Sequence, residues 1–323
     1  MDCSEVRTHF PDYSKHTDTL LSMLHDQASF APTYFVRLTG THTQTTRRGN
    51  KDEKSTITDF MIQINLTHLL QPRPREGGQL EILPDNKRGY RGGIFPGLKP
   101  TAWGDDPENH PDELRAWCER FVDNHASVKS FLLKREVINH DRKKLDQLLR
   151  SAISATNYRG HLQIDWPMQY KRVVVYSPGL INRWRTTTWI RWVFYLTFLW
   201  IVSWPILFLL TRKYEVVKAV YPYADTPTDD GSSRVCTVMS ELEWFNMWDA
   251  AIRRAALARM DCKDRCLDDG YRLATARAEV RSEQPREQIQ TGNSFADGAL
   301  GFLGEGLRVA DRWNAQRGWG GND

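Results

Sequence analysis

The chain has 323 residues, enough for two modest domains and a sizeable core. Its 26% charged and 40% hydrophobic content is that of a globular protein and excludes a polytopic transporter. A net charge of +4 gives no case for nucleic acid, and five scattered cysteines are too few for a disulfide framework.

The opening residues, MDCSEVRTHFPDYSKHTD, hold no apolar run, so no cleavable secretory signal is expected. Asp2 stands where myristoylation requires glycine, and GWGGND is no prenylation box. Residues 1–30 read as an N-terminal extension with one short helix, Thr17 to Gln27, whose apolar side is Leu20, Leu21 and Leu24. Residues 31–178 read as an α+β domain. Tyr34 to Leu38 is its first strand, and THTQTTRRGNKDEKST reads as an exposed hairpin loop. Phe60, Ile62, Ile64 and Leu66 then alternate along one face of a second strand, paired antiparallel with the first.

Residues 71–110 are rich in Pro, Gly and Arg and read as a long surface loop, interrupted by a strand from Gln79 to Leu83. No strand–GxxxxGK[ST]–helix pattern is present. Arg73, Arg75, Lys87, Arg88 and Arg91 are candidate headgroup contacts if the loop faces a bilayer; Glu76, Glu81 and Asp85 dilute the charge and favour a solvated loop. A helix starting at Pro111 carries Leu114, Trp117, Cys118, Phe121 and Val122 at helical spacing, so Cys118 reads as core. Val128 to Ile138 is a strand, and Asn139 is placed to cap a helix with Leu145, Leu148, Leu149 and Ala152 on one side. His161 to Trp166 and Tyr170 to Tyr176 complete a mixed, mainly antiparallel sheet with packed helices, α+β in class.

Residues 179–213 read as an interfacial segment and membrane anchor. Between Arg191 and Arg212 lie 20 residues without a charge, a length that crosses a bilayer core of ~30 Å as one helix. Its anchoring side chains are Trp189, Trp192, Phe194, Leu196, Trp200, Trp204, Pro205, Leu207 and Leu210. Arg183, Arg185, Arg191, Arg212 and Lys213 are the interfacial basic residues flanking it. A single transmembrane span fits this length best. The alternative is a re-entrant hairpin turning at Ser203-Trp204-Pro205, because Tyr214 to Tyr221 again reads as a strand and its partners lie before the segment. Lys171, Arg172, Arg183, Arg185 and Arg191 precede the segment and Arg212, Lys213 and Lys218 follow it, which places the N-terminal domain in the cytosol.

Residues 214–270 read as that strand plus a long amphipathic helix. Ser240 and Glu243 form a capping box for it, and Leu242, Phe245, Trp248, Ile252 and Ala255 line one side. Residues 271–294 read as a polar linker and 295–323 as a Gly-rich amphipathic tail.

The stretch LTFLWIVSWPILFLLTRKYEVVKAVYPY, the helix ELEWFNMWDAAIRRAALARM, the tail ending in RGWGGND, TDFMIQINL and the RGG loop together resemble a family of fungal membrane proteins with one Trp-rich hydrophobic segment. The resemblance implies membrane association and a fungal origin. It transfers no catalytic residue, because that family has no known activity.

No nucleophile elbow, zinc-protease helix or dinucleotide fingerprint is present. Cys262 and Cys266 lack a second pair at ligand spacing, so no metal and no cofactor is expected. The reading is a membrane-anchored, non-enzymatic adaptor or tether that meets the lipid bilayer and takes a protein partner through its C-terminal helices. One rival is a lipid-binding or transfer module, its sheet and the helices at 111 and 139 enclosing an apolar ligand. The other is a membrane-bound enzyme with Asp59, His68, His125 and His161 gathered in a cleft.

Overall fold

The computed structural model describes residues 4–48, 51–70, 79–98, 113–225, 234–263, 265–283 and 318–321. In chain order its elements begin with β1 (Glu5–Thr8), α1 (Thr17–Ser29), β2 (Thr33–Arg48), β3 (Lys51–Asn65), β4 (Gln79–Ile82) and β5 (Arg91–Gly93). There follow α2 (Glu113–Asp123), β6 (Lys129–Ile138), α3 (Arg142–Ser154), β7 (His161–Asp165), β8 (Met168–Gln169) and β9 (Arg172–Tyr176). The last are α4 (Leu180–Thr186), α5 (Thr188–Leu196), α6 (Trp200–Leu210), β10 (Arg212–Pro222), α7 (Glu241–Leu257) and α8 (Asp269–Glu283). The class is α+β, with a mixed sheet and eight helices among the described residues. The chain divides into two compact units that do not follow chain order. One takes residues 1–33, 69–140 and 168–237; the other takes 34–68, 141–167 and 238–323.

The first unit is built on a sheet of strand order β1-β9-β6-β10-β4, with β5 also paired to β10. β6 lies parallel to β10 and antiparallel to β9, while β1 lies parallel to β9. Alternate residues of β6 are buried, and two of them are basic. Lys129 donates from Nζ to the carbonyls of Phe121, Val122 and Asn124 at 2.6, 2.9 and 2.8 Å. These are carbonyls at the end of α2 that helix geometry leaves without a partner. Burial pushes the Lys129 ammonium below its ordinary value. Arg135 donates to the carbonyls of Tyr170 and Gln27, both at 2.8 Å, and so ties α1 to the sheet. The Tyr221 hydroxyl on β10 holds the end of the same helix through the carbonyls of Ala28 and Phe30.

The second unit carries an antiparallel sheet of order β3-β2-β7. α7 packs on β3, and both α3 and α8 pack on α7. Phe60, Ile62, Ile64 and Leu66 are all buried, as their alternation requires. The capping box is present: the Ser240 hydroxyl accepts from the Glu243 N–H, and the Glu243 carboxylate accepts from the Ser240 N–H at 2.8 Å. That carboxyl sits below its ordinary value because it accepts from both the N–H and the hydroxyl of Ser240.

Several local expectations change. The polar run after Leu38 is strand over its described residues. β2 and β3 continue through it as paired strands to Arg48 and Lys51, since threonine-rich sequence suits a pleated ribbon. Asp141, not Asn139, caps α3, accepting from the Lys144 N–H at 3.0 Å. Asn139 instead donates to the Ala224 carbonyl. The buried stripe of α7 is Trp244, Trp248, Ala251, Ile252 and Ala255, with Leu242 exposed and Phe245 half-buried. The start of the expected linker at 271 is helical, as α8; the remainder after 283, and the tail except 318–321, lie outside the described residues.

The apolar segment differs most from expectation. Among the described residues no helix is long and apolar enough to cross a membrane. The stretch read as one span is two shorter helices, α5 and α6, and the strand after it joins the sheet that contains the strand before it.

Candidate membrane-contact site

The excursion from Ser177 to Thr211 leaves and rejoins one end of the first unit's sheet. Ser177 donates its backbone N–H to the Lys129 carbonyl at 3.0 Å, and Arg212 donates to the Val128 carbonyl at 2.9 Å. Exit and return therefore lie on either side of the first residues of β6. Two strand spacings separate them, ~10 Å.

The exit is fixed by buried polar contacts. Asn182 is fully buried, and its Nδ2 donates to the Ser177 hydroxyl at 2.8 Å and the Ser177 carbonyl at 3.1 Å. Gly179 sits where a Cβ would stand 3.1 Å from the Ser127 carbonyl oxygen, so a larger residue would crowd the turn into α4. The His9 ring stacks on Tyr176 at 5.3 Å, and its Nε2 lies 3.2 Å from the Thr186 hydroxyl. At the return, the Thr211 hydroxyl donates to the Leu207 carbonyl.

α5 has nine residues and α6 has eleven, lengths of about 14 and 17 Å at helical rise. Each is roughly half the thickness of a bilayer core. Neither helix contains a buried residue. Trp189, Trp192 and Leu196 are 67, 62 and 73% exposed, and Phe198 and Trp204 are both 68% exposed. Trp200 and Leu210 are exposed as well; Phe194 and Leu207 are half-buried. A water-soluble surface seldom carries apolar area on this scale without a contact to make.

The break falls at Thr197–Leu199, not at Pro205. Pro205 lies inside α6 and removes one helix hydrogen bond without reversing the chain. Phe198 takes the left-handed conformation, φ 57°, that commonly ends a helix. Its N–H bonds the Tyr195 carbonyl at 3.3 Å, and the Thr197 hydroxyl covers the Val193 carbonyl at 2.7 Å. In hydrocarbon, backbone groups need such internal partners.

Of the flanking cations, Arg183 and Arg191 are exposed on α4 and α5. The Arg185 guanidinium lies 5.6 Å from the Tyr176 ring centre, and Nη1 donates to the Thr211 hydroxyl at 3.4 Å, linking exit to return. Burial raises the Tyr176 phenol, and Arg185 partly offsets that. Arg212 and Lys213 open β10, with Lys213 Nζ 4.8 Å from the Tyr90 ring and 5.9 Å from that of Phe208.

Lys87 and Arg88 are exposed, but Arg91 is not free for a headgroup. Its Nη2 donates to the carbonyls of Leu83 and Pro84 at 2.9 and 2.8 Å, and its guanidinium covers the Trp117 ring. It holds its own turn together. Arg73 and Arg75 lie outside the described residues. This loop also supplies a contact that its charge obscured in the sequence. Gly89 and Gly97 exchange backbone hydrogen bonds at 2.9 Å, and the loop they close presents Phe95, 67% exposed, edge-on to Phe208 at 5.6 Å. Leu98 is exposed beside it. The signal was FPGL, an apolar pair around a Pro-Gly turn.

α2 and α3, the helices expected to enclose an apolar ligand together, belong to different units. His125 lies in the first unit, and Asp59, His68 and His161 in the second. Asp59 instead pairs with His42 Nδ1 at 2.9 Å and accepts from the Tyr158 hydroxyl at 2.9 Å, a contact the sequence did not suggest. Cys118 is core, and burial raises the Cys262 thiol. Among the described residues no three of His, Cys, Asp and Glu gather as a metal site.

No protein-family model, curated protein or solved structure matches this chain.

Proposed function

We propose that the chain attaches to one leaflet of a bilayer through residues 180–210 and so holds its two units at a membrane surface. This is the re-entrant reading of the segment, and one observation carries it: an apolar excursion, without a buried residue in α5 or α6, whose two ends enter the same sheet. Burying a Leu, Phe or Trp side chain in acyl chains gains roughly 1.5–3 kcal/mol. Seven or eight such side chains gain roughly 10–24 kcal/mol, against an association cost of roughly 4–15 kcal/mol. The flanking tryptophans and arginines suit the headgroup layer. An adaptor or tether is the role this attachment supports.

Protease protection on sealed microsomes, with a tag at each end, tests it. The expected result is digestion of both tags while the protein stays with the membranes through a high-salt wash. Protection of one tag would mean that the chain crosses the bilayer. Release by salt would mean that the excursion does not enter the hydrocarbon.

A further inference from the structure

From Ser177 to Tyr214 the chain carries Arg183, Arg185, Arg191, Arg212 and Lys213, and no Asp or Glu. Among the described residues none of the five forms an ion pair. Arg185 and Lys213 rest on aromatic faces, contacts that position a cation without cancelling its charge. Lys87 and Arg88 add two exposed cations on the loop that presents Phe95. The nearest acids in sequence are Glu81 and Asp85 before Lys87 and Arg88, and Glu215 just after the segment. The uncompensated charge thus lies at both ends of α5–α6, where an inserted excursion meets headgroups.

We propose that this collar selects anionic phospholipid headgroups, so that the excursion enters negatively charged leaflets in preference to zwitterionic ones. The inference rests on the reading of 180–210 as a membrane contact. Arginine forms paired hydrogen bonds with phosphate, and a cation near a charged leaflet gains roughly 1 kcal/mol, about fivefold in partition. Among the described residues neither Arg183 nor Arg191 has a side-chain partner, and both are exposed to lipid.

The test is co-flotation of the full chain with vesicles of phosphatidylcholine alone or mixed with phosphatidylserine. Stronger binding to the mixed vesicles, weakened by salt, is expected. The double variant Arg183→Gln/Arg191→Gln should bind mixed vesicles roughly 25-fold less well. Arg183→Lys/Arg191→Lys should recover most of that loss, which separates charge from folding. Equal binding to both vesicles would overturn the lipid preference and leave the attachment standing. An unchanged preference in the glutamine variant would overturn the assignment to this collar. Binding to neither vesicle would overturn the attachment itself.

Discussion

Ser177 and Arg212 bond to adjacent residues at the start of β6, the first through the Lys129 carbonyl and the second through that of Val128, which immediately precedes the strand. The chain therefore completes its apolar excursion and returns to within about 10 Å of where it left. A single span cannot do this, because it would deliver β10 to the opposite side of the bilayer from the strand it pairs with.

Asn182 is the contact that holds the exit. Asn182→Leu should cost about 2 kcal/mol, since it removes the Nδ2 bonds to Ser177 and leaves buried acceptors without a donor. Thermal melting measures the loss. Faster amide exchange in α4 than in β6 would show that the loosening is local.

Phe198 takes a left-handed conformation that costs a side-chain-bearing residue roughly 1–2 kcal/mol. Phe198→Gly should slow amide exchange in the last turn of α5, and Phe198→Val should speed it. If both variants exchange alike, the break at Thr197–Leu199 is not set by this residue.

Phe95 and Leu98 should act as a second apolar contact beside α6. Replacing either by serine should weaken vesicle binding about tenfold, from the transfer energy of one such side chain. The melting temperature should be unchanged, because both side chains are exposed.

Stability should fall at alkaline pH. Burial, reinforced by the hydrogen bond to Asp59, raises the Tyr158 phenol above its ordinary value of 10.0. Burial pushes Tyr34 up to about 12. The folded chain thus holds these protons more tightly than the unfolded chain. Their stabilisation is complete below about pH 10 and is lost as pH rises toward the folded-state values. Tyr158→Phe should flatten this loss and should lower stability near neutrality by about 1–2 kcal/mol, because the Asp59 carboxylate loses a donor.

The cap of α7 gives a simpler expectation. Ser240→Ala should cost about 1 kcal/mol in a thermal melt, as loss of a capping side chain usually does.

Local order was legible in the sequence wherever a period met a buried face. Phe60, Ile62, Ile64 and Leu66 reported a half-buried strand, and Leu114, Trp117, Cys118 and Phe121 a buried helix stripe. The capping box at Ser240 was visible because its two bonds are local. Pairing between distant strands was not. β10 lies between β6 and β4, and nothing in YEVVKAVY names those partners. The segment before it misled through its own regularity. Twenty uncharged residues satisfy the length of a span, and the stop at Phe198 carries no Gly or Pro to announce it. Phe95 was hidden in a loop whose charge drew the attention, and the Asp59 contacts join β2, β3 and the turn after α3, which no spacing connects.

The geometry of the exit and return also bears on how such a chain is assembled. A segment whose ends are this close can be lost or acquired as a unit, because the strands on either side keep their partners without it. Joining Ser177 to Arg212 through about four Gly and Ser residues should span the gap and leave β9, β6 and β10 in register. The shortened chain should fold, stay in solution without detergent, and fail to float with vesicles. Lipid attachment would then be a detachable accessory, fitted to a sheet that is complete by itself.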